Sequence, residues 1–323
     1  MARMVKLRAA RVWATSVLLA TAAVFPAGIH ADFTTFRAPT RILSLFSLPG
    51  ETVLLDLATY VGVAPSYAGR FEVESAGGLL VLSERPGTFR LHPPDEIGIH
   101  AVTFREPLRP GVPPSAYRVQ VVVMRPAGDL AGGHLNGYPV GIYPSEREGT
   151  ESNYERPSGF VEITQENRAT LLSDHVALAD LDCKLDVPFP HYAVVRTSLL
   201  VKLESLIQVL NLEGLPGDDL RVMSGYRTPQ YNRSIGNPTT FSRHLVGDAA
   251  DVYVDGDGDE RMDDLDGDGT SDYRDALTLY RFVDAMDEQP TFESLVGGAS
   301  AYRPQADHGP FVHLDTRGYP ARW

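Results

Sequence analysis

Three stretches in the C-terminal half hold side chains able to do chemistry. Ser242-Arg-His244-Leu-Val-Gly-Asp-Ala-Ala-Asp251 joins an imidazole to a carboxylate, and Phe311-Val-His313-Leu-Asp315 repeats the pairing. Ser224-Gly-Tyr226-Arg227-Thr-Pro-Gln-Tyr-Asn232 sets a guanidinium among hydroxyl and amide groups. Zinc takes imidazole nitrogen and carboxylate oxygen, and a catalytic zinc keeps three protein ligands with one open place. His244, Asp251 and His313 meet that count. On spacing alone, a metal site and a pair of satisfied core histidines stand as equal readings.

A second kind of metal chemistry is written into residues 255–275. This stretch holds ten acids and two arginines, a net charge of −8 in 21 residues. Asp264, Asp266, Asp268, Thr270, Asp272 and Asp275, with Gly269, follow the calcium-loop template, with Asp in place of the usual final Glu. Asp255, Asp257, Asp259, Asp263 and Asp266 repeat it imperfectly, since Glu260 stands where the glycine belongs. The expectation is a structural calcium site beside the cleft. A solvated acidic loop is the plainer alternative.

The elements that must position these groups follow from periodicity. Asp251-Val-Tyr-Val254 alternates like a strand, and Phe311-Val-His313-Leu places His313 on a neighbouring one. Leu199, Leu203, Leu206 and Leu210 form one helical stripe, with Lys202, Glu204 and Gln208 off it. Leu220–Ser224 reads as a strand, and a helix is expected over Asp275–Asp287 with Leu279, Phe282, Val283 and Met286 inward. Mixed helices and short strands predict an α+β domain over 161–323. Upstream, short period-2 runs broken by Pro and Gly (52–57, 78–82, 88–92, 117–124) predict a small β-sandwich accessory domain over 32–126. The Gly-, Pro- and charge-rich stretch 127–160 reads as a linker that wraps onto the next domain.

Residues 1–31 carry Arg3, Lys6, Arg8 and Arg11, no acid, and an apolar run from Ala14 to Phe25 ending in small residues. That is the pattern of a secretory signal peptide, with an uncleaved membrane anchor as the alternative. Its removal takes the net charge from −13 to −17. The expected location is therefore periplasmic or extracellular. So acidic a chain lacks the basic footprint of a nucleic-acid binder. Cys183 is the single cysteine, which excludes a disulfide scaffold. At 43% hydrophobic and 22% charged, the 323 residues suit a globular protein of about two domains.

The motif Ser-x-His-x-x-Gly-x-Ala-x-Asp, preceded by Ser-Gly-Tyr-Arg-Thr-Pro-x-Tyr-Asn and followed by Val-His-x-Asp, resembles the zinc D-Ala-D-Ala carboxypeptidase family. This is a group of peptidoglycan metallopeptidases with a hedgehog-like zinc fold. The resemblance covers about residues 160–323. It implies His244, Asp251 and His313 as zinc ligands and Arg227 as the residue that polarises the scissile carbonyl. Peptidoglycan stem or cross-link peptides are the implied substrates, cut by a D,D-carboxypeptidase or an endopeptidase. Many family members place an acidic base three residues before the second histidine; here that position is Pro310. The nearest proton acceptors are His308, which the Gly309-Pro310 turn can fold back, and Asp307. Asp315 is expected to orient an imidazole from the same strand face. Ser242, Asn232 and Tyr226 are candidate substrate-binding residues. Two other readings stay open: a zinc-containing cell-wall binding module without catalysis, and a calcium-dependent scaffold.

Overall fold

The structure, a computed structural model, describes residues 40–60, 71–75, 78–106, 115–144, 154–237, 239–306 and 308–323. The expected signal segment and Asp307 lie outside the described residues. Among the described residues no helix is long and apolar enough to cross a membrane.

The N-terminal part contains two sheets. Strands β1 (Ile42–Ser47), β7 (Ala116–Val123), β6 (Gly98–Arg105) and β3 (Glu72–Ser75) form one, in that order, with β1 parallel to β7 and the other pairs antiparallel. Strands β2 (Val53–Asp56), β5 (Thr88–His92) and β4 (Leu80–Arg85) form the other. Alternate side chains of both sheets meet in one apolar cluster that includes Leu45, Leu55, Leu91, Phe104 and Val121. The rings of Phe89 and Phe104 lie 4.6 Å apart within it. Edge strand β1 is not left open. Thr197 Oγ1 donates to the Ser44 carbonyl (2.7 Å), Ser44 Oγ donates to the Leu172 carbonyl (2.7 Å), and the Asp174 carboxylate accepts from the Arg41 and Ile42 amides. Covering an edge this way removes a template for unwanted strand pairing.

A second, larger core holds the rest of the described chain together. Its first sheet is β12 (His191–Ala193), β11 (Gly159–Ile163) and β8 (Arg125–Pro126). Strands β9 (His134–Leu135) and β10 (Tyr138–Pro139) make a hairpin beside it. The segment expected to wrap is built into this core: Leu135, Tyr138, Val140 and Tyr143 are all buried there. The main sheet runs β13 (Leu220–Ser224), β14 (Ala249–Val254), β16 (Phe311–Asp315), β15 (Gly298–Tyr302), β17 (Ala321–Arg322). All pairs are antiparallel except β15 with β17. The helix Tyr273–Asp287 covers β15 and β16, and the helix Thr197–Leu212 packs on it and on β1.

Lys202 and Glu204 lie off the leucine stripe, yet both are buried, at 1% and 0% exposure. Their helix is covered on two faces, so polar positions off the leucine stripe are enclosed as well. Lys202 Nζ donates to Asp287 Oδ1 (2.8 Å) and to the carbonyls of Leu295 and Asp315. Glu204 accepts from the amide and ring nitrogen of His175, each at 2.8 Å. Buried charge persists only when paired in this manner.

Candidate metal centre

Asp251 sits in β14 between two neighbours. Its Cα is paired with Ser224 of β13 on one side and His313 of β16 on the other. His244 reaches the same point from the 3-10 turn Arg243–Val246. Gly247 closes that turn at φ +71°, and a Cβ there would lie 2.3 Å from the Val194 carbonyl oxygen. The close approach needs glycine twice over, for its dihedral and for its missing side chain. The Gly247 carbonyl, in turn, accepts the Arg196 amide (2.9 Å).

Three ligand atoms converge. His244 Nε2 is 3.2 Å from His313 Nδ1 and 3.2 Å from Asp251 Oδ1, and His313 Nδ1 is 2.9 Å from Asp251 Oδ1. Tetrahedral zinc with bonds of 2.0–2.1 Å holds its ligand atoms about 3.3 Å apart. The triangle fits that ion. Each imidazole is fixed from behind: His244 Nδ1 donates to the Gly225 carbonyl (2.6 Å) and His313 Nε2 to Asp315 Oδ2 (3.3 Å). These bonds fix the tautomers and aim the remaining nitrogens inward. Asp315 also accepts the Gly298 amide (2.7 Å) and pairs with Arg317.

Without metal, the charges arrange themselves consistently. Burial keeps His244 neutral by pushing its pKa down. Burial opposes charge on His313 as well, but hydrogen bonds to Asp251 and Asp315 prevail and carry it up to about 9. Against the effect of burial, Asp251 is held well below the usual carboxylate range by His244 and His313, and Asp315 is lowered by His313 and Arg317. A His313 imidazole with its pKa raised in this way would carry a proton near neutral pH, in competition with a metal ion for Nδ1.

The triad opens into a cleft of about 770 Å³. Arg227 lines it, donating from Nε to Ser224 Oγ (2.9 Å) and from Nη2 to Asp251 Oδ2. Ser242 also lines it, at the N-cap of the turn bearing His244. Asn232 lies instead on an adjoining cavity of about 290 Å³, 4% exposed, with no hydrogen-bond partner for its Oδ1 among the described residues. Tyr226 is a core residue, its hydroxyl 2.7 Å from that of Tyr143, and it does not line the cleft. The ring of His308 rests 5.0 Å from that of Phe311, its Nδ1 is 2.7 Å from the Gly309 carbonyl oxygen, and it too is absent from the cleft lining.

Sequence reading did not single out Arg317, Tyr302 or Trp323, which also line the cleft. Arg317 falls two residues after Asp315, the one local hint of a role; the aromatic pair is brought in by strand pairing alone.

The Asp-rich stretch folds as two similar turns. Asp255 accepts from the amides of Gly258, Asp259 and Glu260, and Asp264 accepts from those of Gly267, Asp268 and Gly269. Glu260 takes φ +63° where Gly269 takes +85°, so the imperfect repeat keeps the left-handed bend without the glycine. Carboxylate oxygens of Asp255, Asp257 and Asp259 cluster, as do those of Asp264, Asp266 and Asp275. Asp263 accepts the Gly256 amide, Asp268 accepts the Thr270 amide, and Asp272 caps the following helix, so these residues serve the turns themselves.

No curated protein and no solved structure matches the chain. Residues 187–268 match the family model described as Peptidase M15. The matched stretch carries Arg227, His244 and Asp251 and stops before His313, which β16 adds to the same site. This similarity, over about a quarter of the chain, is to a family of zinc-dependent metallopeptidases, and it adjoins a His-Asp-His cluster able to hold a metal ion.

Proposed function

We propose that the protein is a zinc peptidase that hydrolyses peptidoglycan stem or cross-link peptides, as a D,D-carboxypeptidase or an endopeptidase. The observation that carries this reading is the triangle of His244 Nε2, Asp251 Oδ1 and His313 Nδ1, with edges of 2.9–3.2 Å at the head of a cleft. Zinc, when bound there, supplies a Lewis acid for the scissile carbonyl and lowers the pKa of water towards 7.

The chain's own groups do the rest. Arg227, tied to Ser224 and Asp251, presents its guanidinium to the cleft and holds the negative charge that develops on the carbonyl oxygen. Loss of one such donor costs about 2.7–4 kcal/mol of transition-state stabilisation. Ser242 binds the substrate's peptide or terminal carboxylate. The proton acceptor comes from the loop between β15 and β16, with His308 first, provided it turns from its place against Phe311 into the cleft, and Asp307 second. The acidic turns 255–275 take calcium and brace β14 against the helix that follows. The N-terminal sheets, as an accessory β-sandwich of an exported protein, act in docking.

A second reading, a zinc-containing wall-binding module without catalysis, draws on one feature. Among the described residues lining the cleft, the only side-chain carboxylate is that of Asp251. Mass spectrometry of peptidoglycan digested with wild type and with His313→Ala separates the two. New peptide ends from wild type alone support hydrolysis; identical products from both reject it.

A further inference from the structure

We infer that His191, paired with Asp182, is a positioning residue for the metal centre: a one-proton latch under the turn that carries Arg227 and the backbone acceptor of His244. The inference rests on the zinc-peptidase reading above. His191 is 6% exposed and opens β12. Its Nε2 is 2.8 Å from the Val187 carbonyl oxygen, and its Nδ1 is 2.7 Å from Asp182 Oδ2. A carbonyl only accepts, so Nε2 carries a hydrogen. A second proton then lies between Nδ1 and Oδ2, on one or the other, because a bare lone pair and a carboxylate repel at that distance. Asp182 Oδ1 has no hydrogen-bond partner among the described residues, so the carboxyl group depends on the His191 contact. Burial pushes Asp182 up, and that contact pulls it down. The rings of Phe189 (4.1 Å, 16° from parallel) and Tyr138 (5.2 Å) pack on the imidazole and hold its orientation.

The latch reaches the site through the backbone on either side of Asp182. The Leu181 carbonyl accepts the Tyr226 amide (3.1 Å), and Cys183 Sγ accepts that of Thr228 (3.4 Å), so residues 181–183 hold the chain before and after Arg227. Gly225, whose carbonyl accepts from His244 Nδ1, lies against the same segment: a Cβ on it would be 2.7 Å from the Leu181 Cα. When the shared proton leaves as pH rises, two acceptors face each other, the pair parts and the support beneath the turn loosens. Positioning of Arg227 and His244 is therefore complete below that titration and weakened above it. The other titratable and charged groups around the pair are Tyr138 on β10, Tyr192 on β12, Cys183, Arg168, and the exposed Lys184 and Asp186 of the same loop. Burial pushes up both tyrosines and carries Cys183 to about 11. The Arg168 guanidinium, 5.6 Å from the Phe189 ring, keeps its charge throughout.

Asp182→Asn separates a proton latch from plain packing, because the asparagine NH2 donates to a neutral His191 Nδ1 and needs no shared proton. In the full chain, the His191 ring is followed by heteronuclear NMR across about pH 5–8, the range in which histidines change charge. Hydrogen exchange of the Tyr226 and Thr228 amides, corrected for its intrinsic pH dependence, reads the support of the turn. In wild type, protection of both amides should fall at least tenfold in the step in which the His191–Asp182 pair loses its proton; in Asp182→Asn it should stay level. Zinc affinity is taken by chelator competition as the ratio of wild type to Asp182→Asn, in which the competing proton on His313 cancels. That ratio should fall at least threefold as pH rises through the step. Protection that does not follow the His191 titration, a variant that tracks the wild-type curve, or a constant affinity ratio overturns the inference. If the variant does not fold, the wild-type titration alone decides. A linked loss of protection in a protein that binds no zinc at any pH rejects the metal reading and leaves the latch standing.

Discussion

Replacing Asp315 with asparagine tests how far the metal triad depends on the carboxylate behind it. Asp315 is fully buried and accepts from His313, Gly298 and Arg317. The amide keeps one acceptor oxygen but turns an NH2 group towards donors. His313 then loses the partner that fixes its tautomer and raises its basicity, and such partners are worth about 10–100-fold in metal affinity. That corresponds to about 1.4–2.7 kcal/mol. A separate cost falls on the fold. Arg317 is largely buried, and stripping a buried ion of its partner costs about 3–5 kcal/mol. This is an upper bound, because the guanidinium also lies 5.3 Å from Trp323 and 5.8 Å from Tyr319. Asp315→Asn combined with Arg317→Met removes the stranded charge while still depriving His313 of its acceptor. Zinc affinity by chelator competition and metal-free Tm therefore report different things. Both variants should lose 10–100-fold in affinity, and the single variant should show the larger drop in Tm. Wild-type affinity in the double variant would refute the coupling between Asp315 and the site.

Zinc binding displaces the proton on His313 Nδ1, so calorimetry in two buffers of different ionisation enthalpy should give about one proton released per ion near pH 7. Because this proton competes with the metal, affinity should weaken about tenfold per unit as pH falls below about 9. Gly247→Ala forces a left-handed alanine against the Val194 carbonyl; a loss of at least about 2 kcal/mol in denaturant unfolding is expected, and a neutral result would contradict the close approach. Calcium at a hundred times its Kd should stabilise the protein by about 2.7 kcal/mol. Asp264→Asn should lower this gain, and a calcium-independent Tm in wild type would remove calcium from the 255–275 turns.

The site was largely legible because its side chains belong to short local patterns. Alternation in Phe311–Asp315 puts His313 and Asp315 on one strand face, and the Ser242–Asp251 motif holds two of the three candidate ligands within ten residues. The helix 273–287 also matches its pattern, with Leu279, Phe282, Val283 and Met286 all buried. What stayed hidden depends on pairing at a distance. The register that sets Asp251 beside His313 is decided by the whole sheet, not by either strand. The burial of Lys202 is not visible in its helix pattern because its three partners lie 85 to 113 residues away. Trp323 gains its place from Tyr302 and Ser300 across the β15–β17 edge, which no local pattern announces.

Cys183 gives the molecule a built-in reporter. Its sulfur accepts the backbone N–H of Thr228 (3.4 Å), one residue past Arg227, and burial pushes the thiol up to about 11. Buried and protonated, the thiol is shielded from alkylating reagents, and only an opening of this packing would let it react. The rate of its alkylation would therefore report any opening of the packing around Cys183 and Thr228, with no substitution needed.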